Sequence, residues 1–386
     1  MAEVAFDADD PLLARAAWSR VSEPGDRVAG ALLAQLGPVA ALAWLLSGAD
    51  QPPGVRAHHA WGRAAQRWRP RLSGLDPRRE IAVITRLGGE VLIPEDPRWP
   101  GALEDLAEAA PPCLWVRGDT DVASLARNSV AIVGARANTS YGADVASELA
   151  TGLALRGVSV VSGGAYGIDA CAHRGLLASG GCPIAVMAGG LDRFYPAAHT
   201  DLLLEVVREG AVISEVPPGS APMRQRFLAR NRLIAALAQV TVVVEAGWRS
   251  GALSTARHAA ELLRPVAVVP GPVTSMASAG CHRLLREGGA ICVTDVSEVL
   301  ELLPGAEPAS PMASEIGILD GLDPDQARVF DALPKRASAD PDNLARVSGL
   351  SVAQTVAALG ALELAGRVNR VGGGWCRRPP RGDRTN

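Results

Sequence analysis

Between about residue 80 and residue 300 the chain alternates short apolar runs with stretches of helical spacing. The runs cover 129–133, 158–162, 183–188, 211–214, 240–245, 265–269 and 290–293, and they are rich in Val, Ile and Ala. Between most of them lie segments whose apolar positions recur at helical intervals, as in 143–155, 170–178, 228–237 and 252–262. Short β-rich runs with little polar alternation read as strands buried on both faces. Strands that alternate with helices imply a parallel sheet with right-handed crossovers. The pattern therefore predicts an α/β fold: a Rossmann-like, doubly wound, mostly parallel sheet over 80–302.

Both flanks differ in character. Residues 1–75 carry helical spacing over 15–20 and 28–46, interrupted by Leu36-Gly37-Pro38, and predict a small helical domain of the helix-hairpin-helix kind. Such a module either packs or presents backbone N–H groups to a phosphate. Residues 303–321 are rich in Pro, Ala, Ser and Gly and read as a linker. Beyond it, 324–333, 341–347 and 351–364 read as helices. Then 367–371, the Gly372-Gly373-Gly374 turn and 375–377 read as a hairpin. Three helices followed by a hairpin predict a winged-helix domain over 322–378, and 379–386 is expected to be a disordered tail.

Composition narrows the possibilities. Hydrophobic residues make up 48% and charged residues 20%, enough to bury a sizeable core. The N-terminal stretch is acidic where a secretory signal would be basic, and no run of about 18 apolar residues is uninterrupted. The expectation is a cytoplasmic protein with no membrane partner. Six cysteines at irregular spacing form no C-x-x-C pair, so buried reduced thiols are expected, without a metal or other cofactor. The net charge of −3 means that any polyanion site is a local patch. All but one of the 38 basic residues are arginine, so phosphate contacts would fall to planar, bidentate guanidinium groups.

Ligands of open parallel sheets sit outside the carboxyl ends of the strands. The turns predicted there are Gly134-Ala135-Arg136, Ser162-Gly163-Gly164-Ala165-Tyr166-Gly167, Gly189-Gly190-Leu191-Asp192 and Ser250-Gly251-Ala252-Leu253-Ser254-Thr255. Glycine lets an anion approach the backbone, and each following helix offers unpaired N–H groups and a positive dipole end. Several such turns side by side make an anion platform. An arginine block adds charge: no acidic residue occurs over 216–244, while Arg224, Arg226, Arg230 and Arg232 all do. Phe227 lies among them. Guanidinium groups with a nearby ring suit a single strand, where cations meet phosphates and the ring stacks on a base. The alternative is that Phe227 is core and some arginines pair with Glu205, Glu209 or Glu215. Asp169 and Asp192 are expected to hydrogen-bond their own turns.

Taken together, these motifs resemble the DNA-processing protein A (DprA/Smf) family over 131–290. The resemblance rests on Gly134-Ala135-Arg136 with Tyr141-Gly142, on 162–169, on Ser214-Glu215 with Pro217, and on Phe227 with 230–234. It continues through Glu245-Ala246, 250–256 and Pro270-Gly271. It implies a homodimeric single-stranded-DNA-binding protein, without catalysis, that helps load the RecA recombinase during DNA uptake or general recombination. It also implies DNA-binding roles for Arg136, Ser162, Gly163, Gly164, Phe227, Arg230, Asn231, Arg232, Ser250, Gly251 and Thr255. The chain departs from the family at Ala197, where a lysine is usual, at His199, where an asparagine is usual, and at Gly280-Cys281-His282, where Gly-Thr-Asn is usual.

Two other readings compete. A nucleoside-monophosphate phosphoribohydrolase uses a similar core, but its Pro-Gly-Gly-x-Gly-Thr turn is missing here. A winged-helix reader of duplex DNA would rest on 351–364, a segment without a basic residue. A Walker A ATPase needs Gly-Lys, and the single lysine, Lys335, follows Pro334.

Overall fold

The computed structural model describes residues 5–54, 59–119, 121–305, 322–334 and 338–377. Most of the linker expected over 303–321, the tail expected over 379–386, Lys335 and Arg378 lie outside the described residues. The chain divides into two compact units, 1–307 and 308–386.

The first unit opens with α1 (Pro11–Val21), α2 (Arg27–Ser47), α3 (His59–Trp68) and α4 (Pro77–Arg86). Asp10 and Asp26 start α1 and α2 by accepting N–H groups that a first helical turn leaves unpaired. The break expected in α2 falls at Gly37, whose φ of 75° precedes Pro38. By length and composition alone α2 could cross a membrane. Here its Leu32, Leu42, Trp44 and Leu45 are buried in a core shared with Trp18 and Trp68, whose rings meet edge to face at 5.2 Å. The module expected over 1–75 thus has its own core within the same unit as the sheet.

The sheet follows. In chain order come β1 (Gly89–Leu92), β2 (Leu114–Gly118), α5 (Val122–Arg127), β3 (Ser129–Val133), α6 (Ser140–Ala154), β4 (Ser159–Ser162) and α7 (Ile168–Ala178). Next are β5 (Pro183–Met187), α8 (Thr200–Glu209), β6 (Ala211–Ser214), α9 (Arg224–Leu237), β7 (Val240–Val243) and α10 (Ala252–Glu261). Last are β8 (Val266–Val268), α11 (Ala279–Arg286), β9 (Ile291–Cys292) and α12 (Val296–Leu300). Among the described residues the sheet has nine strands in the order β1-β2-β6-β5-β4-β3-β7-β8-β9. β3 to β9 pair in parallel. Side chains alternate across it: Ala131, Val133, Val161, Ile184 and Val243 pack with α9 and α10 residues, while Val130, Ile132, Val160 and Val242 pack with those of α6 and α7.

All seven expected runs form strands. Two antiparallel strands at one edge, β1 and β2, were not expected. β2 hides from a pattern search because Arg117 interrupts its apolar run. That side chain is nonetheless buried, donating to the Leu191 carbonyl at 3.0 Å with its guanidinium over the Phe194 ring. The cysteine expectation also needs correction: Cys113 and Cys281 are buried, but Cys182 and Cys292 are exposed.

The second unit holds α13 (Pro324–Ala332), α14 (Pro341–Ser348), α15 (Val352–Leu364), β10 (Val368–Val371) and β11 (Gly374–Arg377). Gly372 and Gly373, with φ of 58° and 83°, make the hairpin turn, which needs two left-handed residues. Val329, Phe330, Leu359, Leu362 and Trp375 form its core. This is the winged-helix topology that the sequence predicts.

Candidate functional site

The chain runs outward from β3 through β4, β5 and β6, then returns to β7 on the other side of β3. Ligands of open α/β sheets bind where the strand order reverses in this way. A cavity of about 850 Å³ opens at that point. The turn after β3 supplies Ala135 and Arg136, and the start of α7 supplies Asp169. α9 contributes Arg224, Phe227, Arg230 and Asn231. The turn after β7 contributes Arg249, Ser250 and Gly251, followed by Thr255 of α10.

Backbone bonds lock these turns together. The Ile168 N–H donates to the Ala135 carbonyl at 3.2 Å, and the Ala135 N–H donates to the Glu245 carbonyl at 2.7 Å. Gly167 makes this approach possible: its φ is 81°, and a Cβ there would lie 2.1 Å from the Ala135 oxygen. The Glu245 carboxylate is 1% exposed and accepts the Thr139 N–H at 2.9 Å, fixing the start of α6 to the end of β7.

Among the described residues, four arginines and one aspartate line the cavity. Arg136 is exposed, with its guanidinium carbon 5.0 Å from the centre of the Phe227 ring. Phe227 is half-buried, belongs to no core cluster, and meets the Tyr195 ring at 5.6 Å. Among the described residues, no carboxylate forms an ion pair with Arg136, Arg224 or Arg249.

Arg230 forms the floor. It is 6% exposed, donates to the Val186 carbonyl, and leaves its Nε without a hydrogen-bond partner. Burial pulls its pKa down to about 10, against the opposing pull of Asp169. Asp169 accepts the Gly163 N–H at 3.1 Å, and burial raises its pKa although Arg230 acts the other way. The two do not close into a direct ion pair, so the floor presents an incompletely neutralised cation. Burying a charge on these terms is costly.

Of the residues expected to bind, Arg136, Phe227, Arg230, Asn231, Ser250, Gly251 and Thr255 come together in this cavity. Asn231 donates to the Gly251 carbonyl at 3.2 Å and so holds the turn before α10. The other four do not line it. Ser162 is buried with its hydroxyl donating to the Ile132 carbonyl at 2.7 Å, so it closes the sheet end. Gly163 lies behind Arg230, where a Cβ would meet the guanidinium at 2.1 Å, and faces a small gap on the far side of Phe227. Gly164 lies against Leu203.

Arg232 points away from the cavity. It is 5% exposed, ion-pairs with the buried Glu215 at 2.7 Å, and donates to the Ala109 and Ala229 carbonyls. Arg226 likewise turns to Glu23, at 3.0 Å, in the segment between α1 and α2. The arginine block therefore divides: Arg224 and Arg230 serve the cavity, whereas Arg226 and Arg232 anchor α9 to carboxylates. Arg249 was not expected in the site, although it directly precedes the Ser250-Gly251 turn. Met276 also lines the cavity, and nothing in the sequence marks it.

The two unusual histidines support turns. The His199 Nδ1–H meets the Gly164 carbonyl at 3.1 Å, and the His282 Nε2–H meets the Gly271 carbonyl at 3.0 Å. Asp169 holds its own turn as expected, but Asp192 accepts from Gly219 at 2.7 Å, in a different loop.

Comparisons with known proteins agree on one relationship. The profile of the DNA recombination-mediator protein A family matches residues 90–304, and that of the DprA winged helix domain matches residues 307–374. The chain is 43% identical over 378 residues to the putative DNA processing protein DprA of Mycobacterium tuberculosis, covering 93% of each. It is 41% identical over 198 residues to DNA processing protein DprA of Streptococcus pneumoniae, covering 51% of this chain and 69% of that one. The X-ray structure of the pneumococcal protein superposes with a TM-score of 0.61 at 29% identity, covering 78% of this chain and 99% of the other.

Proposed function

The chain belongs to the DNA recombination-mediator protein A (DprA/Smf) family, and from that premise we propose that its cavity holds single-stranded DNA. One observation carries the reading: four arginines, three of them without a carboxylate partner among the described residues, line one cavity with a half-buried phenylalanine at the strand-order reversal. Phosphates take the exposed guanidinium groups of Arg136, Arg224 and Arg249, and the buried Arg230 supplies charge from below. An unpaired base reaches Phe227, whereas a base held in a duplex has its faces occupied by its neighbours.

The protein acts as a binding platform rather than a catalyst. Among the described residues Asp169 is the only carboxylate in the cavity, and it is occupied in holding the turn that starts α7. A phosphoribohydrolase needs a carboxylate free to act on the sugar. α15 carries no cation and exposes Val352, Val356 and Leu364, which suits a protein contact better than a duplex phosphate backbone. The strand held in the cavity is handed to a RecA recombinase, with the protein working as a homodimer in the cytoplasm. Fluorescence anisotropy with single-stranded and duplex oligomers tests the reading. Single strands should bind more tightly, with affinity falling by about 0.7 log units per log unit of salt for each phosphate neutralised. Equal affinity for duplex, or release of free base from nucleoside monophosphates, would refute it.

A further inference from the structure

Beside the cavity stands a ring that the proposed contacts leave unused. Trp248 lies in the turn after β7, between Gly247 and Arg249, both of which line the cavity. It is 50% exposed. The seven other tryptophans are all at most 6% exposed, so burial is the rule for this residue in the chain and Trp248 is the exception. Its ring is held from α11: the Arg283 guanidinium carbon sits 5.3 Å from the ring centre. Arg283 is in turn placed by Glu287, one helical turn on, at 3.8 Å. The backbone beneath is fixed as well, because the Gly280 N–H at the start of α11 donates to the Ala246 carbonyl at 2.7 Å. A large ring is thus displayed at the cavity lip on a braced turn, beside the free guanidinium of Arg249.

We infer that Trp248 and Arg283 form a second stacking platform, which takes a base of the same strand after it leaves the cavity past Arg249. The inference rests on the cavity being the single-strand site. A tryptophan face with a guanidinium behind it suits a nucleobase, since every base offers a π-face and the cation adds attraction for the neighbouring phosphate. The platform lengthens the footprint of the site, so its effect depends on oligomer length. A strand too short to reach the lip gains nothing from it.

Tryptophan emission reads this directly, because the only strongly exposed indole is the one in question. Oligothymidylates of about 4 and about 16 nucleotides, labelled for anisotropy, span the two cases. The long oligomer should quench the Trp248 emission on binding, and Trp248→Phe should abolish that quench. Trp248→Ala should weaken the long oligomer about tenfold and the short one less than about twofold, with Trp248→Phe recovering most of the loss. Thermal melting of each variant separates lost binding from lost folding. Binding of the long oligomer without any quench, or equal weakening of both lengths in a normally folded Trp248→Ala variant, would overturn the platform while leaving the cavity reading intact. A wild-type chain that binds neither oligomer would remove the cavity reading itself.

Discussion

Replacing Arg232 by Ala should destabilise the protein and leave strand binding alone. The guanidinium is 5% exposed, and its partner Glu215 is 6% exposed. Their 2.7 Å bond is the only ion pair of that carboxylate among the described residues, and Glu215 Oε2 already lacks a partner. Removing the cation strands a buried anion supported by little more than the Gly25 N–H at 3.4 Å. The carbonyls of Ala109 and Ala229 also lose a donor. Breaking one half of a buried pair costs about 3–5 kcal/mol, which in a unit of this size corresponds to a melting shift of about 6–15 °C. The assay is thermal and urea unfolding beside oligonucleotide anisotropy well below the melting temperature. The double substitution Arg232→Met with Glu215→Gln should recover part of the loss, since no buried charge is then left unpaired. An Arg232→Ala variant that melts like wild type but no longer binds would refute the assignment and return Arg232 to the DNA site.

Arg136→Ala should behave in the opposite way, with unchanged melting, weaker binding and a salt dependence shallower by about 0.7 in log–log slope; an unchanged slope would mean that Arg136 meets no phosphate. Phe227→Ala should lower single-strand affinity by about 1–3 kcal/mol; loss of folding instead would make the ring a core residue. His173 is buried with both ring nitrogens unpartnered, and burial pulls its pKa down to about 4, while the unfolded chain takes up the proton near 6.5. Its folded pKa is lowered, so stability is lost as pH falls from 6.5 towards 4, by about 2–3 kcal/mol between about pH 7.5 and 4.5. Urea unfolding of His173→Leu at those two pH values should show that much less change than wild type, and an identical change would refute it.

The periodicity of the chain made the parallel sheet legible because strands buried on both faces need continuous apolar runs, and β3 to β8 supply them. It missed β2 because a buried arginine reads as the end of a strand unless its acceptor, here the Leu191 carbonyl, is known, and β1 because its four residues, with Glu90 among them, make too short an apolar run. For the site, the strand-following turns and Phe227 were visible, since glycines and an aromatic among cations mark themselves by type. The division of the arginine block was not. Four arginines in one acid-free stretch look alike, and the carboxylates that draw two of them away, Glu23 and Glu215, lie elsewhere in the sequence. Arg249 and Trp248 were hidden for the converse reason: their meaning comes from what α11 and α9 bring beside them.

The frame under the binding site consists of main-chain bonds linking Ala135 to Ile168 and Glu245, together with a glycine at 167 that permits the approach. None of these links depends on which side chains stand around the rim. Evolution can therefore rewrite the rim letter by letter, at Arg136, Arg224 or Arg249, and retune the grip on a polyanion without rebuilding what holds the walls apart.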